Sequence, residues 1–494
     1  MINVRRMADG VPKAQSGESD VLIYLLCRVA AAIFNIVAVA LFTRLSDAHL
    51  YGEYLIGFSI CFIIYSLTVQ WAVFAHFGTY TSEASDRFAG SLIVISAAMT
   101  IPAAIVIALL VEFGVLETGI ALGTGFLALC FTIYFAATEI ARARLRPGLV
   151  AIATILRSAL SMGFGCLALY LFDDATALLI AIGLGYAIGA LPVYVYLART
   201  SWAAGFIWPL RQDIIGMLRY GWPLAIAFGA SAGAMNIDRI VLEHYNNPAT
   251  VAPYGAVMDL MKQTFLVLAE AISAGYIAHA RMHMLDERHV EVDQVLRRSF
   301  ISQSFIIVFG TVSFLLLGRL VFSIILAPGY VETALEVMPF LLIGNAILIL
   351  RAHYFGQIIY LGASSVLELV ASAAMVLSAI VAAFLLVPSM GPRGAAFAFA
   401  IGQAVALVLL VAAAPKSARM PIDWLGVATL GATGVGLIFV GVELEILLGR
   451  AWGNVANILL IGVSSAFFAL RWNIFNIAEV GGRMAIRLLA AVRS

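Results

Sequence analysis

The chain has 494 residues, 63% of them hydrophobic and 12% charged, with a mean hydropathy of +1.02. A soluble domain carries about twice that charge and far less apolar residue, so a water-soluble fold is excluded and a polytopic membrane protein is expected. The net charge of +1 gives no reason to expect a nucleic-acid partner.

Residues 1–20 are polar and lack the apolar core of a signal peptide, so they are expected to form a cytoplasmic segment. A helix needs about 20 apolar residues to cross a bilayer. Runs of that kind lie at 21–43, 53–75, 89–111, 119–141, 150–172, 176–197, 217–239, 252–276, 300–325, 335–360, 364–387, 394–414, 424–447 and 454–475. The expected fold is therefore all-α, with about 14 transmembrane helices. Open sheets are excluded because lipid offers the backbone no hydrogen-bond partner, and no alternating barrel pattern is present. Cys27, Cys61, Cys130 and Cys166 fall inside apolar runs without CxxC spacing and read as packing residues, with no metal or cofactor implied.

The first two runs flank a polar turn, and Tyr51-Gly52 opens the second. The seventh and eighth runs do the same, with Tyr254-Gly255 in the matching place. Recurrence half a chain apart predicts two related halves, each starting on the same side and hence a parallel repeat. Residues 198–216 read as the linker between the halves. The stretch 277–299 reads either as an amphipathic surface helix or as a solvated connector. Residues 476–494 form a basic tail suited to the inner leaflet.

Charge sets the orientation. With a cytoplasmic N-terminus, about 20 Lys and Arg fall on inner segments, against Arg44, Arg393 and Arg450 outside. Both termini are then cytoplasmic. The turns EFGVLET, DDAT and EHYNNPAT suit the outer face.

Four stretches carry a resemblance. RLSDAHLYGEYLIGFSI contains the first Tyr-Gly turn, and LRYGWPLAIAFGASAGAMNIDRIVLEHYNNPATVAPYGAVMDL contains Asp238-Arg239 and the second. LAPGYVETALEVMPFLLIGN carries Pro328-Gly329-Tyr330, and LLVPSMGPRGAAFAFAIGQA carries Pro388, Gly391 and Gly394-Ala395-Ala396. In this order, across residues 20 to about 414, they resemble the polysaccharide flippases of the multidrug/oligosaccharidyl-lipid/polysaccharide superfamily. One departure is HFGTYTSEASDR after the second run, where the family often has an earlier Arg. The resemblance implies two six-helix bundles, 21–197 and 217–414, around a central cavity that opens alternately to each side. Helices 13 and 14, within 424–475, lie beyond that core. It also implies a bacterial cytoplasmic (inner) membrane location and a lipid-linked oligosaccharide as partner, with membrane lipids and polysaccharide assembly proteins around it.

An ionisable side chain at a helix centre costs roughly 2.5–3.5 kcal/mol on insertion scales, so such residues face a cavity or a partner. The candidates are Arg28, Arg157, Asp238, Arg239, Asp259, Lys262, Glu270, Arg319, Arg351 and Glu368. In the eighth run Asp259, Lys262, Gln263 and Glu270 share one helical face. Lys262 lies about ten residues in, about 15 Å deep. The row reads as a polar stripe on a wet cavity, or as an Asp259–Lys262 pair that neutralises itself. Arg28 either faces the cavity or snorkels, and Arg351 ranks beside it. Arg157 and Arg319 read as snorkelling from helix ends. Asp238-Arg239 reads as a helix-end pair or a gate contact.

On the cavity reading, Lys262, Arg28 and Arg351 would hold a pyrophosphate by charge-assisted hydrogen bonds. Asp259 and Glu270 would take up H+ or Na+. The function expected is flipping of a polyprenyl-pyrophosphate-linked oligosaccharide, and the alternative is a cation-coupled multidrug antiporter of the same superfamily. The basic candidates favour an anionic substrate. A membrane glycan polymerase or ligase would need a sizeable outer loop, and none exceeds roughly a dozen residues. No Walker A, HExxH or GxSxG pattern stands in its required context, so no enzyme is expected.

Overall fold

Short polar side chains start several of the helices. Asp47 accepts a hydrogen bond from the Leu50 amide (2.8 Å), Asp174 from Ala177 (2.8 Å), Asn247 from Thr250 (3.0 Å) and Asp423 from Gly426 (3.0 Å). Each satisfies an amide that its helix leaves unpaired. Pro147, Pro248 and Pro392 occupy first-turn positions, where the missing N–H is harmless.

The computed structural model describes residues 15–79, 85–203, 206–285, 287–361, 365–414, 420–472 and 474. These residues form helices and turns, with no strand among them. The helices are α1 Gln15–Leu45, α2 Ala48–Tyr65, α3 Trp71–Thr79, α4 Ser85–Glu112, α5 Thr118–Ala143, α6 Pro147–Phe172, α7 Ala175–Thr200 and α8 Arg211–Ala234. They continue as α9 Ile237–Tyr245, α10 Pro248–Met261, α11 Val267–Leu285, α12 His289–Ile325, α13 Val331–Leu348, α14 Ser365–Met390, α15 Pro392–Ala413 and α16 Trp424–Arg471. Three π turns, Ser66–Gln70, Lys262–Leu266 and Ile349–Tyr354, interrupt what would otherwise be continuous helices. The basic tail at 476–494, most of the segment 1–20, and Lys416 and Arg419 lie outside the described residues.

Eleven of the described helices are long and apolar enough to cross a membrane, or twelve when α8 and α9, bent by 46°, count as one span. The difference from the expected fourteen has two sources. The stretch through α10 and α11 carries Asp259, Lys262, Gln263 and Glu270 and is too polar to be among them. The 48-residue α16 holds two of the expected helices. At Gly449, φ 72° and ψ 165° reverse the chain in a region open to glycine alone. The two arms then pack: Asn457 donates to the Gly441 carbonyl (3.3 Å), and a Cβ on Gly453 would lie 2.7 Å from Glu445 Cα.

The stretch 277–299 differs from both readings of it. α11 runs to Leu285 and α12 begins at His289, leaving a tight turn between two long helices. Arg297 and Asp293, one turn apart at 2.7 Å, support the start of α12.

The chain divides into two compact units: Met1–Ala38 with Gly57–Gly229, and Val39–Ile56 with Ala230–Ser494. The first unit has an aromatic core in which Tyr65, Phe131, Phe135 and Tyr186 pack between α2, α5 and α7. In the second, α14 and α15 pack closely through Gly402 against Met375 and Ala379. α16 lies along α12 through Gly426, Gly434 and Gly441, which meet Ile301, Val308 and Leu316.

The two Tyr-Gly turns meet within the second unit. A Cβ on Gly52 would lie 1.8 Å from the Pro248 carbonyl oxygen, and one on Gly255 would lie 2.5 Å from Leu55 Cδ1. Tyr51 and Tyr254 are fully buried beside them. The repeated glycine is therefore what lets α2 and α10 cross without a side chain between them.

Candidate functional site

The chain breaks between α8 and α9, where Asn236 turns back to bond the Ala232 carbonyl (2.9 Å). This break puts Asp238 and Arg239 in the first turn of α9, directed into the protein. They are 1% and 2% exposed. A buried charge needs compensation, and α10 supplies it. The Tyr254 hydroxyl donates to Asp238, and Arg239 Nη2 donates to Asp259 and reaches the Gly255 carbonyl (3.4 Å). Asp238 also accepts the Arg239 amide (3.0 Å).

Lys262 opens the π turn that follows α10. Asp238, Arg239 and Asp259 are the charges that act on it. It makes no ion pair or hydrogen bond of its own among the described residues, because Asp259 is bonded to Arg239. The cluster thus holds two acids and two bases, and three of the four are tied by direct bonds. Lys262 is the member left over. It is partly exposed, as is the 27%-exposed Asp259 side chain. The self-neutralising Asp259–Lys262 pair considered from the spacing is not present: Arg239 takes that place.

The expected row on one helical face is only partly kept. A π turn carries one residue more than an α turn, so Glu270 falls about a quarter turn out of line with Asp259. Glu270 is exposed and acts electrostatically on His353.

Arg351 sits on the π turn Ile349–Tyr354 and is 4% exposed. Its Nε donates to Gln403 Oε1 (2.8 Å) and its Nη1 to Glu368 Oε1 (3.4 Å), joining it to α15 and α14. This is a second cluster in the same unit. Arg28 is exposed on α1 and belongs to the first unit.

Tyr254 and Gln403 were not among the expected site residues. Tyr254 was visible only as half of the repeated Tyr-Gly pair, and Gln403 as a lone amide in an apolar run. A cavity of about 620 Å³ in the first unit, lined by Tyr65, Thr68, Thr100, Ala104, Gly125 and Thr132 among others, contains none of the candidate residues. Its Thr68, Thr100 and Thr132 hydroxyls bond carbonyls of their own helices, so its wall is effectively apolar.

No protein-family model and no curated protein matches the sequence. Solved structures do. The lipid II flippase MurJ, in an inward closed conformation, aligns with a TM-score of 0.71 at 11% identity, over 93% of this chain and 99% of that one. An inward-facing multidrug resistance MATE family transporter of the MOP superfamily aligns with a TM-score of 0.57 at 15% identity, over 78% and 96%. A MOP superfamily transporter from Pyrococcus furiosus, whose binding pocket is described as reversed in polarity, aligns at 0.53 and 13%, over 79% and 93%. The fold is the one these solved transporters share, as the sequence resemblance implied.

Proposed function

We propose that the chain is a flippase that carries a polyprenyl-pyrophosphate-linked oligosaccharide from the inner to the outer leaflet of the bacterial cytoplasmic membrane. It works by alternating access and serves cell-surface polysaccharide assembly, next to the proteins that polymerise and export the sugar. Two features support this reading. The fold is shared with a lipid II flippase over nearly the whole chain. And Lys262 is a helix-embedded cation with no acid bonded to it, which is what an anionic headgroup needs. The second feature carries the proposal.

In this reading Lys262 is the main pyrophosphate contact. Arg28 is the second, and Arg351 joins only by giving up Glu368. Residues 21–197 and 217–414 are the two moving bundles, and both termini are cytoplasmic. Asp259 and Glu270 take up the coupling H+ or Na+. Asp238 and Arg239 act as a gate contact through their bonds to Tyr254 and Asp259.

A cation-coupled multidrug antiporter is the second reading, favoured by the MATE neighbours and by the partial exposure of Asp259. Deleting the protein from its host separates the two. A flippase deletion accumulates lipid-linked oligosaccharide on the inner leaflet, and Lys262→Ala reproduces that accumulation while Lys262→Arg relieves part of it. A deletion strain with normal oligosaccharide and raised drug sensitivity would overturn the flippase reading.

A further inference from the structure

Among the described Lys and Arg that are buried or half-buried, two have no bonded acid. Arg87 pairs with Asp213 (3.4 Å), Arg144 with Asp86 (2.7 Å), Arg239 with Asp259 and Arg351 with Glu368 (3.4 Å). Lys262 is one exception. The other is Arg157, in the first unit.

Arg157 is not at a helix end. α6 begins at Pro147, so Arg157 lies ten residues in, about 15 Å along the helix. Its surroundings are aromatic and hydroxylic. Nη1 donates to the Tyr186 hydroxyl (2.6 Å) and Nη2 to Ser158 Oγ (2.7 Å). The guanidinium carbon stands 4.7 Å from the Tyr186 ring centroid and 5.7 Å from that of Tyr134. The Tyr134 hydroxyl donates to Thr154 Oγ1 (3.2 Å), and its oxygen also acts on the guanidinium. Nε is buried and has no hydrogen-bond partner. Among the described residues Arg157 makes no ion pair.

Ring faces and neutral hydroxyls steady a guanidinium without cancelling its charge. An embedded cation held in this way still lacks a counter-charge, and its Nε–H still lacks an acceptor. The Tyr186 hydroxyl accepts from Arg157, so its own proton is free for a third group. The ligand that fits an unpartnered guanidinium N–H beside a free hydroxyl proton is a multi-oxygen anion, and guanidinium matches phosphate in geometry as well as charge.

We propose that Arg157, with the Tyr186 hydroxyl, is a further phosphate-binding residue of the first unit, in addition to Arg28. This rests on the flippase reading for its substrate. Phosphate in a membrane has two sources, the pyrophosphate of the carried lipid and the headgroups of ordinary phospholipids, and the carried lipid is the one assigned here.

The test uses the purified full chain in detergent and labelled farnesyl pyrophosphate as probe. Competitors are inorganic pyrophosphate, phosphatidylglycerol and farnesol. The expected result is that pyrophosphate competes and the other two do not. Arg157→Gln should weaken probe binding about tenfold or more, the size of a lost hydrogen bond to a charged group. Tyr186→Phe should weaken it roughly threefold. Arg157→Lys, with the charge but not the fork, should fall between wild type and Arg157→Gln. If Arg157→Gln does not fold, the lysine and phenylalanine variants carry the test. Unchanged affinity in the Arg157 and Tyr186 variants, with affinity lost in Lys262→Ala, overturns this inference and leaves the flippase reading standing. Competition by phosphatidylglycerol equal to that by pyrophosphate overturns the assignment to the carried lipid. Equal competition by farnesol means that the pyrophosphate is not recognised, and the flippase reading falls with it.

Discussion

Replacing Arg239 by alanine removes the one guanidinium that holds α9 to α10. Asp259 loses its bonded partner, the Gly255 carbonyl loses a donor, and Asp238 keeps only the Tyr254 hydroxyl and a backbone amide. Arg239 is 2% exposed, so water replaces only part of what the 27%-exposed Asp259 loses. Breaking a buried ion pair from one side costs about 3–5 kcal/mol. Lys262→Ala is a different case. Asp259 stays bonded to Arg239, no donor or acceptor is orphaned, and the loss is the packing of a partly exposed side chain, about 1 kcal/mol. Thermal midpoints of the detergent-solubilised chain, read by fluorescence-detected size exclusion, should place Arg239→Ala far below wild type and Lys262→Ala beside it. Arg239→Ala combined with Asp259→Ala should recover part of the loss, since the second change removes the stranded charge. If Lys262→Ala destabilised the chain as much as Arg239→Ala, Lys262 would be a structural counter-ion, and its assignment to substrate would fail.

Gly52→Ala should lower the thermal midpoint by an amount corresponding to at least about 1–3 kcal/mol, because its Cβ would meet the Pro248 backbone oxygen at 1.8 Å, and backbone cannot rotate aside. Gly216→Ala, inside α8 with nothing within 4 Å of its Cβ, is the control and should hold or slightly raise the midpoint. A cysteine replacing Arg288, in a chain without its four native cysteines, should resist an impermeant maleimide in intact cells and react after permeabilisation. Labelling in intact cells would reverse the orientation drawn from the Lys and Arg distribution.

The helical fold was legible because lipid forces backbone groups to pair within each segment, so long apolar runs have no other structure open to them. The span count was less so. The turn at Gly449 falls between the expected runs 424–447 and 454–475, while the charges of α10–α11 keep that expected helix out of the spans that length and composition support. In the charge cluster, the neighbourhood of Asp259 and Lys262 followed from their spacing. The partner of Asp259 did not, because Arg239 reaches it only through the 46° bend between α8 and α9. Gln403, 52 residues from Arg351, is likewise a tertiary neighbour that no local pattern announces. From the sequence Arg157 lies near a helix end, because the apolar run begins at residue 150. Pro147, tolerated in a first turn, begins the helix three residues earlier and so moves Arg157 inward.

The π turn at Lys262 makes α10 and α11 a screw with one thread to spare. Wound at the ordinary pitch, Lys262–Leu266 would give up a residue's worth of slack. Everything from Val267 to Leu285 would then turn by about 100° and slide about 1.5 Å, while Tyr254 and Asp259 stayed where they are. Glu270 would swing back toward the line of Asp259, and the ladder of backbone hydrogen bonds would be re-threaded without being undone. A rod that can change which groove it presents, by taking up slack at its most polar point, needs neither a loop nor a proline to do it.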